Sequence, residues 1–102
     1  MKPVIIINCF SIKPGKMDEF IETQQNFAAS LMDKPGGLIG GRMYRGLDGK
    51  SAVLVSQFAS EEAQQGIFQL DAFKQHLNKL RPLVESSSPS HYEEAYTSGA
   101  FK

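Results

Sequence analysis

Four β-branched residues in a row, Val4-Ile5-Ile6-Ile7, narrow the possible folds more than any other feature of this chain. A branched Cβ loses χ1 freedom in a helix and packs well on a pleated surface, so such a run favours extended backbone. The segment continues through Asn8, Cys9, Phe10 and Ser11 to Ile12. Side chains alternate across a strand. Val4, Ile6, Asn8, Phe10 and Ile12 therefore share one face, and Ile5, Ile7, Cys9 and Ser11 the other. Both faces are apolar at the start, so the strand needs cover on both sides. The run is too short for a signal-peptide core or a membrane span. It is expected to be a buried strand.

The remaining periodicities supply its neighbours. Lys13-Pro14-Gly15-Lys16 is a turn. Met17 to Met32 follows helical spacing, with a stripe of Met17, Phe20, Ile21, Phe27, Ala28, Leu31 and Met32 interrupted by Gln24. Asp18 and Glu19 stand in its first turn, where the helix dipole favours negative charge. Lys34-Pro35-Gly36-Gly37 ends the helix. Leu38 to Arg45 reads as a second strand loosened by Gly40 and Gly41. The Asp-Gly signal in Gly46-Leu47-Asp48-Gly49-Lys50 marks a hairpin turn into a third strand, Ser51 to Phe58. Ser60 is a helix N-cap followed by Glu61 and Glu62. That helix is expected to break near Leu70. Asp71 would cap a second segment carrying Phe73, His76, Leu77 and Leu80. Ser86 to Ser90 reads as a polar linker, and His91 to Thr97 as a last strand with Tyr92 and Tyr96 on one face.

The order strand, helix, strand, strand, helix, strand predicts an α+β, ferredoxin-like β-α-β-β-α-β domain spanning residues 1–102. Its four-stranded antiparallel sheet would carry helices on one face. Ile5, Ile7, Val53 and Val55 make the other face apolar, where a sheet open to water should alternate with polar residues. Two chains are therefore expected to pack sheet to sheet as a homodimer.

Composition removes several classes of function. Of 102 residues, 41% are hydrophobic and 22% charged, ordinary values for a folded domain. Eleven basic residues balance 11 acidic ones, and no two basic residues are adjacent. Nucleic acid and anionic membrane are excluded as main partners, because both require a concentrated basic surface. The single cysteine permits no internal disulfide and no cysteine-based metal site, which suits a reducing cytoplasm. Two histidines without a paired carboxylate motif make no metal site, and the Gly-Gly pairs lack phosphate-loop spacing.

Several segments in sequence bring a known family into view. They are Ile5-Ile6-Ile7-Asn8, the Lys13-Pro14-Gly15-Lys16 turn into a helix, and Pro35-Gly36-Gly37 before strand two. Gln57-Phe58-Ala59-Ser60-Glu61-Glu62-Ala63 and Asp71-Ala72-Phe73-Lys74-Gln75-His76 complete the set. From Val4 to about Tyr96 the chain resembles the antibiotic biosynthesis monooxygenase family, within the dimeric α+β barrel superfamily. The resemblance implies a homodimer with a pocket between sheet and helices. Members include oxygenases that act on quinols or polycyclic aromatics without metal or flavin, heme-degrading proteins and isomerases. Aromatic-oxidising members often end strand three in a tryptophan, with an asparagine four residues before it. Those places resemble Phe58 and Leu54 here, and the chain has no tryptophan. Heme-degrading members pair a strand-one asparagine, matched by Asn8, with a tryptophan and a histidine. The latter two places resemble Ile67 and Leu77. His76 is one residue away, a turn of about 100° on a helix, so heme degradation is not expected.

The candidate residues each carry two readings. Asn8 lies on an apolar strand face, where a buried amide must find partners. It either orients a substrate oxygen or ties the strand to a loop. His76, on the inward side of its helix, is a candidate base for a phenol or acidic carbon, or a helix histidine bonded to backbone or water. Phe58 is core or a flat wall for a ring. Arg42 and Tyr44 share a face of strand two and would bind an anionic or phenolic substrate at the pocket mouth, or form a solvated edge. Tyr92 and Tyr96 reach either the dimer seam, the favoured reading, or the pocket, and Cys9 is read as a small core residue. The expected activity is cofactor-independent monooxygenation of a small electron-rich aromatic, quinol-like or anthrone-like, with Asn8 and His76 catalytic. A non-oxidative isomerase and a non-catalytic domain binding a small hydrophobic ligand are the alternatives.

Overall fold

The expected first strand forms as β1 (Val4–Ile12) and lies inside a four-stranded sheet. The computed structural model describes residues 3–32 and 37–100. The chain continues through α1 (Met17–Met32), β2 (Leu38–Arg45), β3 (Ser51–Phe58), α2 (Glu61–Phe68), α3 (Asp71–Leu80) and β4 (Val84–Tyr92). The sheet order is β2-β3-β1-β4, with every pair antiparallel. This is the ferredoxin-like α+β arrangement read from the sequence. The expected helix stop at Lys34-Pro35-Gly36 lies outside the described residues. Gly37 is described and has φ +93°, a left-handed value that favours glycine, and a Cβ there would meet the Ala63 Cβ at 2.5 Å.

The helices cover one face of the sheet. Val4, Ile6, Phe10 and Ile12 of β1 are buried, and all belong to that face. They divide between two packed clusters. Phe10 and Ile12 join Phe20, Ala52, Leu80 and Leu83. Val4 and Ile6 join Leu31, Phe58 and Ile67. Phe20 is 0% exposed and meets Phe10 edge-on, with ring centroids 4.9 Å apart. The other face carries Ile5, Ile7 and Cys9 beside Gln57, Val55 and Val53 of β3. Cys9 is exposed, contrary to its expected place in the core. The alternation put it on the right face, but no described segment of the chain covers that face.

Two local devices follow the sequence closely. Asp48 Oδ1 in the β2–β3 hairpin accepts hydrogen bonds from the Lys50 and Ser51 backbone N–H groups at 2.8 and 3.2 Å. Those bonds hold its carboxyl below the usual carboxylate range. Ser60 Oγ accepts from Ala63 N at 3.1 Å and caps α2.

Other expectations change. Asp71 does not cap α3. Leu70 holds the N-cap position with no side-chain bond, and Asp71 lies in the first turn, where its charge meets the helix dipole. The last strand is not His91–Thr97. It starts at Val84 and includes the serine-rich segment read as a linker. β4 is an edge strand joined to β1 by backbone pairing, and all of its side chains after Val84 are exposed. Such a strand needs no apolar alternation, and an edge tolerates Pro89 because one row of N–H groups faces outward. Tyr92 is its last residue and Tyr96 lies beyond it, 83% exposed. No described helix is long and apolar enough to cross a membrane.

Candidate functional site

Between sheet and helices lies a cavity of about 980 Å3 whose walls include members of both packed clusters. That volume suits a multi-ring organic molecule. The sheet contributes Asn8, Leu54, Ser56 and Phe58, and the helices contribute Gln24, Phe27, Phe73 and His76. The lining is mostly apolar, so its few polar groups decide what it can hold.

His76 is 5% exposed, on the inward side of α3 as the helical spacing required. Its ring stacks on Phe27 with centroids 4.0 Å apart and planes 8° from parallel. Its Nε2 lies 2.6 Å from Gln24 Oε1. With that oxygen accepting, Nε2 carries the proton and Nδ1 of the neutral ring has a lone pair. Burial, aided by the charge of Lys79, pushes the imidazole pKa down to about 4. The ring is therefore uncharged at neutral pH and only weakly basic.

Gln24 is the residue that sequence reasoning passed over. It is 8% exposed, and it interrupts the apolar stripe of α1 because it reaches His76 on α3. The interruption was itself the signal, since a polar residue on a buried helix face needs a partner.

Asn8 is hydrogen-bonded within the sheet and lines the cavity as well. Its Oδ1 accepts the Ser88 backbone N–H at 3.1 Å, tying β1 to the adjacent strand rather than to a loop, and the residue also lines the cavity. An N–H donor identifies the amide oxygen, so Nδ2 remains as the donor available to a guest.

Phe58 is both core and wall. It is 4% exposed, belongs to a packed cluster and lines the cavity. It meets Phe68 edge-on at 6.4 Å, and Phe68 stacks on Phe73 at 4.6 Å. Phe73 stands 5.9 Å from Phe27. A continuous aromatic array thus joins Phe58 to His76.

Arg42 and Tyr44 do not line this cavity. Arg42 pairs with Val55 and Tyr44 with Val53, on the sheet face away from the helices. Alternation placed the two together but not on an absolute face. The register of β2 against β3, irregular between Leu38 and Gly40, turns Met43 inward opposite Leu54 instead. His91 is on β4, where its Nε2 lies 3.3 Å from Gln64 Oε1 and away from the cavity lining. No group of three or more His, Cys, Asp or Glu suited to a metal ion occurs among the described residues.

A family model described as antibiotic biosynthesis monooxygenase matches residues 3–79. No curated protein matches the chain. Among solved structures, SnoaB, a cofactor-independent oxygenase from Streptomyces nogalater, is 22% identical with a TM-score of 0.84, over 95% of this chain and 97% of that one. A protein from Shewanella oneidensis is 20% identical with a TM-score of 0.80, over 91% of each chain. A protein from Pseudomonas aeruginosa is 11% identical with a TM-score of 0.81, over 94% of this chain and 97% of that one. At these identities the likeness is one of fold.

Proposed function

This chain belongs to the antibiotic biosynthesis monooxygenase family, and we propose that its cavity binds a small electron-rich aromatic, quinol-like or anthrone-like, and oxygenates it without metal or flavin. One observation carries the reading. A large apolar cavity presents an amide donor, Asn8, on its sheet wall and a neutral imidazole, His76, on its helix wall. SnoaB, with the same fold, is described as a cofactor-independent oxygenase.

Molecular oxygen is a triplet and reacts slowly with closed-shell molecules. A substrate carbanion or phenolate overcomes this by giving up one electron first. For an anthrone-like CH2 group, His76 Nδ1 accepts a proton and the carbanion transfers an electron to oxygen. The two radicals join through a C–O bond. Breaking the O–O bond with loss of water leaves a ketone. The net change is CH2 plus O2 to C=O plus H2O, and the substrate supplies all the electrons. Asn8 Nδ2 donates to the substrate oxygen as negative charge develops there. His76 is a weak base at rest, and the forming anion raises its proton affinity by charge attraction. The aromatic walls hold the ring and exclude water. In this reading two chains pack through their open sheet faces, in a reducing cytoplasmic setting that leaves Cys9 as a thiol.

The test is oxygen uptake by the purified, metal-free protein with a panel of anthrones and quinols. Uptake well above the rate in buffer is expected, and His76→Ala and Asn8→Ala should each lower it by about 10- to 100-fold. Uptake no faster than in buffer overturns the reading. A second reading, ligand binding without turnover, is favoured by the low proton affinity of His76. It predicts saturable binding of the same aromatics with no oxygen uptake. Turnover of the panel under argon would instead point to an isomerase.

A further inference from the structure

The cavity lining has one charged side chain at neutral pH among the described residues, Arg81. No carboxylate shares the lining, and His76 is neutral there. Arg81 is the C-cap of α3, and as a residue both exposed and lining the cavity it lies at the rim. Among the described residues that side chain makes no hydrogen bond and no ion pair. Its backbone is nevertheless firmly held. Arg81 N donates to Leu77 O at 3.1 Å, and two residues on Leu83 N donates to Leu80 O at 2.8 Å. Leu83 O in turn accepts from Lys13 N at 3.0 Å, which fastens this turn to the end of β1. Pro82 fixes φ in between. A pinned base thus carries an uncommitted guanidinium beside an apolar chamber.

Resting on the reading of this cavity as a ligand site, we infer that Arg81 determines its specificity, and that the ligand is an amphipathic anion, an aromatic body bearing one carboxylate. The planar fork of a guanidinium matches a carboxylate through two parallel N–H···O bonds. Apolar walls lower the local dielectric and strengthen that attraction relative to open water. One cation balances one carboxylate. A doubly charged phosphate would call for further cationic donors, and no other described lining residue is cationic. The plainer account is that Arg81 complements the C-terminal end of the α3 dipole, a place where Lys79 already stands. That account gives Arg81 no influence on which ligand binds.

Titration with two probes separates the accounts. An anthracenecarboxylate and the matching anthracenecarboxamide differ in charge and little in shape. The native protein is expected to bind the carboxylate about 10-fold more tightly. Arg81→Gln should abolish that preference by weakening carboxylate binding more than carboxamide binding. Arg81→Lys, which keeps the charge and loses the fork, should retain part of it. Arg81 is exposed, so both variants should melt at the native temperature. Equal affinities in the native protein overturn the assignment of Arg81 while leaving the cavity as a ligand site. So does a preference that survives Arg81→Gln. Failure of the native protein to bind either probe overturns both.

Discussion

β1 presents two apolar faces that meet opposite fates. Val4, Ile6, Phe10 and Ile12 are buried beneath helices of the same chain. Ile5 and Ile7 are only half-buried, and Cys9 is exposed. Similar side chains one position apart thus end in different environments, because cover depends on what the chain can fold back over them. The covered face does not close completely. Its helices pack at two clusters and leave a chamber between them, into which Asn8 and His76 are drawn. The open face carries Arg42 and Tyr44 beside its apolar residues and forms no wall of this chamber. The proposed recognition of a small molecule is assigned to the first face, and the proposed association with a second chain to the second.

The largest test of this contrast is Phe20→Ala on the covered face. Phe20 is fully buried against Phe10, and its loss should destabilise the chain by about 3–5 kcal/mol in chemical denaturation. A change below about 1 kcal/mol would mean that the helices are not seated on this face as described.

The next test is electrostatic. The imidazole of His76 has a folded pKa of about 4 against an ordinary 6.5. Above the ordinary value neither folded nor unfolded chain holds this proton, and His76 does not affect stability. As pH falls from about 6.5 to about 4 the unfolded chain takes up the proton first, so stability is lost through that window. The loss from this group approaches about 3 kcal/mol and then levels off. His76→Gln keeps a polar partner for Gln24 and removes the titration. Its stability should therefore fall less than that of the native chain between pH 7 and 4.5, as read by urea midpoints. Parallel curves for the two proteins would show that His76 is not held neutral.

The smallest effect on the single chain is expected on the open face. Cys9→Asp should change chain stability by no more than about 0.5 kcal/mol, since the side chain is exposed. Placed between two facing sheets, the same charge should split the proposed homodimer and halve the mass of the species in solution. An unchanged mass would remove this face from any interface.

Legibility in the sequence followed the forces at each place. β1, the Asp-Gly hairpin and the Ser60 cap each leave a local pattern, because burial or a short-range hydrogen bond selects the residue types. β4 leaves none, since backbone pairing at an edge accepts serine and proline. The inward aim of His76 was readable from helical spacing. Its partner Gln24 was visible only as a break in a stripe, because the two are 52 residues apart in sequence. Arg42 and Tyr44 were correctly grouped, but alternation fixes only relative sides, and the pairing register sets them on the exposed edge strand away from the cavity rather than at its mouth. Arg81 offered no pattern at all, as its place depends on where α3 ends against the sheet.

The distribution of aromatic residues makes the two faces optically distinct. The chain has no tryptophan, and its tyrosines are Tyr44, Tyr92 and Tyr96. All three are exposed and none lines the cavity. Tyr44 pairs with Val53 and Tyr92 with Ile5, which puts both on the open face. The cavity holds phenylalanine and histidine, which scarcely emit. Two of the three tyrosines therefore report on the open sheet, with Tyr96 beyond β4, and a fluorescent aromatic entering the chamber announces itself against a dark background. The proposed assembly and the proposed ligand capture can be followed in one cuvette at separate wavelengths, without a label.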